Sequence, residues 1–150
     1  MADKKIIKKE FLMKNAPAEI LTRLTLGIVF TQSGWVKFQN LSKVISYFES
    51  LNIPFAHLQA PFVGGLELIA GIFILIGLFT RLSSLSLIPV MIVAIFTAHS
   101  EEITDLSGLL SMSNFLYILL LSWLATVGSK VLSIDQIMMN YHGRLVRSVK

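Results

Sequence analysis

Four stretches of this chain are apolar almost without interruption, approximately residues 20–38, 61–79, 82–99 and 108–128. A hydrocarbon core of about 30 Å is crossed by roughly 20 residues rising about 1.5 Å each, so the pattern predicts four membrane-spanning helices. Between the runs the pattern changes character. Leu41, Val44, Ile45, Phe48 and Leu51 recur at helical spacing in the first connection, which ends at Asn52-Ile53-Pro54. Ile134, Ile137, Met138, Tyr141 and Leu145 do the same near the C-terminus. Such amphipathic helices lie flat in a membrane interface or cap the end of a bundle. The expected fold is all-α: one integral membrane four-helix bundle over residues 1–150, with short amphipathic interfacial helices in the first connection and at the C-terminus.

Composition supports that pattern and narrows it. Of 150 residues, 54% are hydrophobic and 15% charged, against roughly 25% charged in ordinary soluble domains. Mean hydropathy is +0.71. There is no Cys, which removes disulfides, Cys-based metal sites and any dithiol chemistry of the chain itself. The histidines lack a His-x3-His spacing, so no metal site is expected.

The net charge of +4 would suit nucleic acid, but its distribution points to a membrane. Lys4, Lys5, Lys8, Lys9, Lys14 and Arg23 precede or open the first run. Arg81 marks the second connection, and Lys130, Arg144, Arg147 and Lys150 follow the fourth run. The first connection holds Lys43, with Lys37 just before it, and the third is acidic, with Glu101, Glu102 and Asp105. The positive-inside rule then puts both termini in the cytoplasm and the protein in the cell (inner) membrane as a multi-pass chain. The basic termini read as topology determinants drawn to anionic headgroups, with the lipid bilayer as partner and no nucleic acid. A cleaved signal peptide is the alternative for the first run. Its length, Arg23 and the ending Trp35-Val36-Lys37-Phe38, which offers no small-x-small cleavage site, favour a retained span.

Glu67 is the one charge in the second run. A carboxylate at that depth costs a few kcal/mol by insertion scales, so it should face protein or water, find a partner, or be protonated. It lies six residues in from Pro61, Gln32 six in from Phe38 and Asn114 six in from Gly108, which puts all three about 9 Å below the outer edge. Lys37 lies higher, with a side chain long enough to reach down or to snorkel up. Gly64, Glu67 and Gly71 share one helix face, as do Gly27, Thr31 and Gly34 on the first run. Small residues mark close helix contact in membranes and turn Glu67 inward. Ser111, Asn114 and Tyr117 form a third polar face. The candidate ligand or proton-handling layer is therefore Glu67, Lys37, Asn114, Thr31 and Gln32, with Thr31 and Asn114 better placed than Gln32.

Each candidate also has a structural reading. Residues such as Asn114, Thr31 and Ser111 are more often interhelical hydrogen-bond glue than ligands, and Glu67 with Lys37 serves equally as a buried pair that only fixes packing. Pro89 should kink the third run, leaving a carbonyl that lines a cavity or is repaired locally. No phosphate-binding loop, dinucleotide fingerprint or nucleophile elbow is present. Ser, His and Asp are scattered over both membrane faces, so no triad is expected and no catalytic residue is assigned.

The first run reads Arg23-Leu-Thr-Leu-Gly27-Ile-Val-Phe30-Thr-Gln-Ser33-Gly34-Trp-Val-Lys37. The second continues Glu67-Leu-Ile-Ala-Gly71-Ile-Phe-Ile-Leu-Ile-Gly77-Leu-Phe-Thr80-Arg81, and the chain closes with Asn114 and Gly128-Ser-Lys-Val-Leu-Ser133-Ile-Asp135. In order and spacing, from Arg23 to Asp135, this resembles the DoxX family of small four-helix membrane proteins. The motif positions matched are Arg23, Gly34, Lys37, Glu67, Gly71, Arg81 and Asn114. The resemblance implies an accessory or quinone-associated subunit of a membrane redox system, with redox-enzyme subunits as partners and quinone as the cofactor to test. A small-solute or ion carrier, which with four spans would need to form a homo-oligomer, and a non-catalytic assembly scaffold are the competing functions. The residues alone do not separate the three.

Overall fold

The computed structural model describes residues 2–98, 106–129 and 133–135, with side chains from Ala16 onward. Its elements are all helical: α1 (Ala2–Gln39), α2 (Leu41–Ser50), α3 (Ala56–Ile76), α4 (Thr80–Ala98), α5 (Leu106–Ser111) and α6 (Ser113–Val127). α1 packs along α3, and α4 along α6. Contacts of α3 with α4 and of α1 with α6 close a four-helix bundle, and α2 lies against α3 at one end. Leu26, Phe30, Ala70, Ile74, Leu87, Met91, Leu121 and Leu124 form the core.

The outward faces are apolar as well. Leu21, Ile28, Trp35, Phe62, Ile69, Leu82, Phe96 and Leu116 are all exposed on the bundle, an apolar coat that water would not tolerate at this extent. α3 and α4, each with mean hydropathy 1.8, are long and apolar enough to cross a membrane. α6 is apolar but has 15 residues, about 22 Å. α1 is long but interrupted by Arg23, Gln32 and Lys37.

Several boundaries differ from the sequence pattern. α1 does not begin at residue 20 but runs back through the lysine-rich segment to Ala2, carrying Pro17 inside it. α3 begins at Ala56, five residues before Pro61, because Phe55 takes a left-handed backbone (φ 54°) that turns the chain into the helix and its carbonyl accepts from the N–H groups of Leu58 and Gln59. Pro61 is thereby absorbed into the second turn. α3 ends three residues early, at Ile76. Gly77 (φ 69°) donates to Ile74 O and Leu78 to Phe73 O, the paired bonds of a Schellman stop that needs a residue able to take positive φ.

The fourth apolar run is two helices. Met112 is extended (φ −74°, ψ 130°), its N–H reaches back to Leu109 O, and its carbonyl starts α6 by accepting from Leu116. The break buries the Met112 side chain. The amphipathic helix expected in the first connection is α2. The second amphipathic segment lies outside the described residues beyond Asp135.

Candidate functional site

The start of α3 changes the depth of Glu67. It stands eleven residues into a 21-residue helix, roughly 17 Å along about 31 Å, and so at its midpoint. Its side chain is 3% exposed and pairs with Lys37 Nζ through Oε2. Ser33 completes the arrangement. Its hydroxyl donates to the same Oε2 at 2.8 Å and accepts from Lys37 Nζ at 2.8 Å. Ser33 and Lys37 are four residues apart and thus neighbours on one face of α1, aimed together at α3.

What brings the two helices close enough is the absence of side chains between them. A Cβ placed on Gly34 would lie 2.5 Å from Leu68 N and 2.6 Å from Gly64 O, and one on Gly71 would lie 2.5 Å from Thr31 N. Lys37 Cβ sits over Gly64 in turn. The glycine face predicted on each helix is the contact between them, and the ion pair is built on that contact.

The pair faces a cavity of about 550 Å³ bounded by all four long helices and covered by α2. That volume is within the roughly 300–1,000 Å³ of small-molecule sites, which combine apolar walls with a few polar groups. Apolar wall comes from Val29, Phe30, Phe62, Val63, Val90 and Ala94, and from Tyr47, Phe48 and Leu51 at the α2 end. The polar wall is Ser33, Lys37 and Glu67, joined by Asn114 and Tyr117 from α6. Tyr117 is held edge-on to Phe30 at 5.9 Å between ring centres. Pro89 also lines the cavity. Gln59 and Thr97 also reach the lining, where Gln59 Nε2 donates to Pro54 O at 2.7 Å and Thr97 Oγ1 to Val93 O at 2.8 Å.

The structure thus gathers Glu67, Lys37 and Asn114 around one cavity and leaves two candidates out. Gln32 is exposed, one residue off the Ser33–Lys37 face. Thr31 is wedged against Gly71, with its hydroxyl buried and lacking a partner among the described residues, outside the cavity lining. Ser33 was not among the candidates, although its i, i+4 relation to Lys37 was there to be counted.

The DoxX family model matches residues 18–100, more than half of the chain. The chain belongs to the DoxX family. This DoxX chain is 31% identical over 118 residues to CatD of Bacillus subtilis (strain 168), whose name carries a provisional oxidoreductase assignment. That alignment covers 77% of this chain and 83% of CatD. It is 35% identical over 100 residues to an uncharacterised membrane protein of Mycobacterium tuberculosis, covering 66% of this chain and 61% of that one. No solved structure matches it with significance. Membership makes the apolar outer surface intelligible: this is a membrane protein.

A second polar cluster in this DoxX fold ties the opposite end of the bundle. Arg23, buried beside Glu19, donates from Nε to Ile74 O at 3.2 Å and from Nη2 to Leu75 O at 3.1 Å. These carbonyls end α3: Leu75 O would otherwise lack a partner in the last turn, and Ile74 O takes the guanidinium beside the Gly77 N–H. Asp135 does the converse for α4, accepting from Phe79 N–H at 2.9 Å and Thr80 N–H at 3.2 Å. Ser129 donates to Asp135 Oδ2 at 2.7 Å, and Asp135 N–H donates to Gly77 O at 3.0 Å. Arg81 is exposed and passes over Gly128, where a Cβ would come within 2.8 Å of its Nε. Arg23 and Arg81, taken as motif residues, therefore belong to this end of the bundle and not to the cavity.

Burial alone would raise the Asp135 pKa, but the bonds from Ser129, Phe79 and Thr80 outweigh it and hold the carboxyl below its ordinary value. A depressed folded pKa gives stability that is complete above the unfolded value of roughly 3.9 and is lost as pH falls through the folded value. Thermal unfolding of Asp135→Asn against wild type should therefore show a gap that is constant above about pH 5 and narrows below pH 4. A gap that does not change with pH would mean the carboxylate charge plays no part.

Proposed function

We propose that this DoxX protein crosses the membrane four times with both termini in the cytoplasm, and that it serves as a quinone-binding accessory subunit of a membrane redox system. The single observation that carries the reading is the cavity: apolar on most of its wall, with Ser33, Lys37, Glu67, Asn114 and Tyr117 converging on it from three helices. A quinone is an apolar ring with two polar edges, and such a wall is complementary to it. Ion carriage is less well supported, because Lys37 and Glu67 neutralise one another and leave no net charge to hold an ion. The oxidoreductase word in the name of CatD belongs to that protein and enters here only as an added reason for a redox setting. The segregation of Lys and Arg supports the topology.

The test is retention. Wild type purified in mild detergent from quinone-containing membranes should carry quinone detectable by mass spectrometry of its lipid extract. Ala94→Trp, which fills the cavity from α4, should lose most of it while keeping its helical circular dichroism. Equal quinone in the two proteins, or none in wild type, would sink the proposal.

A further inference from the structure

The hydrogen-bond accounting at Glu67 leaves one side of the carboxylate unused. Lys37 and Ser33 both bond to Oε2, and no bond to Oε1 is made among the described residues. Ser33 spends its only hydrogen on Oε2, and Lys37 spends two of three, one on Ser33 and one on Glu67. Glu67 lines the cavity, and its Oε1 is not among the sealed, unpartnered polar atoms of the described residues, so it stays open to a donor brought by a ligand. A carboxylate oxygen only accepts, so a ligand group that bonds to it must bring an O–H or N–H. A quinone carbonyl brings lone pairs instead.

Resting on the quinone-site reading above, we infer that the cavity is selective for the reduced, hydroxyl-bearing form of its ligand, with a ligand O–H donating to Glu67 Oε1. The remaining Lys37 hydrogen serves the oxygen of the same or a neighbouring hydroxyl, so donor and acceptor sit side by side. Such a pairing fits a hydroxyl, which both gives and receives, better than a carbonyl, which only receives. A hydrogen bond to an ionised acceptor is the strong kind, worth roughly a ten- to hundred-fold difference in affinity.

The experiment is anaerobic calorimetry on the full chain in detergent, with three probes of one shape. They are a short-chain benzoquinone, its two-electron-reduced hydroquinone, and the dimethyl ether of that hydroquinone. The hydroquinone should bind roughly ten- to hundred-fold more tightly than the quinone, and the ether no better than the quinone. In Glu67→Gln the preference should shrink to a few-fold, since a neutral acceptor is about half as strong. Quinone binding as tightly as hydroquinone overturns the selectivity and leaves the quinone-site reading standing. Ether binding as tightly as hydroquinone overturns O–H donation without recourse to any variant. A full preference retained in Glu67→Gln removes Glu67 as the acceptor. Failure of all three probes to bind overturns the quinone-site reading, and this inference with it.

Discussion

Gly34→Ala should destabilise the bundle by about 2 kcal/mol or more, although alanine is the better helix former. A glycine-to-alanine change inside a helix gains up to about 1 kcal/mol in propensity. At position 34 the added methyl meets Leu68 N, Gly64 O and Leu68 Cα at 2.5–2.8 Å. These are backbone atoms, which cannot rotate aside as a side-chain tip can. α1 and α3 must separate, and overpacking of this kind costs roughly 1–3 kcal/mol and sometimes more. The steric term therefore wins. Gly65→Ala is the control, since its methyl would first meet the Phe38 ring at 3.6 Å, an ordinary contact, and it should be neutral or stabilising. Unfolding midpoints of the two variants in one detergent should fall on opposite sides of wild type or clearly apart. Coincident midpoints would mean that the helix contact is not tight.

The second large effect is at the ion pair, and it should be unequal between the partners. Removing one member of a buried pair costs about 3–5 kcal/mol, mostly because the other is left charged and unpaired. Lys37→Met strands Glu67, which is 3% exposed, whereas Glu67→Leu leaves Lys37, 24% exposed and on a flexible stem that can reach outward. Lys37→Met should therefore be the worse variant, by about 1 kcal/mol or more. The double change Lys37→Met with Glu67→Leu removes both charges and should cost less than the two singles added together. A double-mutant cycle with a coupling energy near zero would show that the two charges do not depend on one another.

Much of this was legible in the residues, and what was not has identifiable causes. Glycines at helical spacing announced the α1–α3 contact, and the heptad-like apolar spacing after Leu41 announced α2. Glu67 and Lys37 were found because charge in an apolar run is costly and must be answered. The apolar run does not mark the start of α3, because the helix opens on the more polar Ala56–Ala60 turn and the left-handed turn at Phe55 has no glycine to advertise it. The break at Met112 was invisible because both sides of it are apolar, and hydropathy does not register a single extended residue. Gln32 has the right depth and the wrong face; depth without helix face is half of a position, and the adjacent Ser33 has both. The Asp135 bonds to Phe79 and Thr80 join two connecting segments far apart in the chain, and no periodicity reports such a contact.

Asp135 has a consequence for the order in which the molecule is built. The turn between α3 and α4 leaves the ribosome 55 residues ahead of the carboxylate that takes the Thr80 amide. At about 5–20 residues per second, that is a wait of roughly 3–11 s. During it the first turn of α4 has water, lipid headgroups or the insertion machinery for partners, and the hairpin is not yet fastened. The closing knot is tied by a segment that follows α6, so the bundle acquires its final form only after all of its helices have been made.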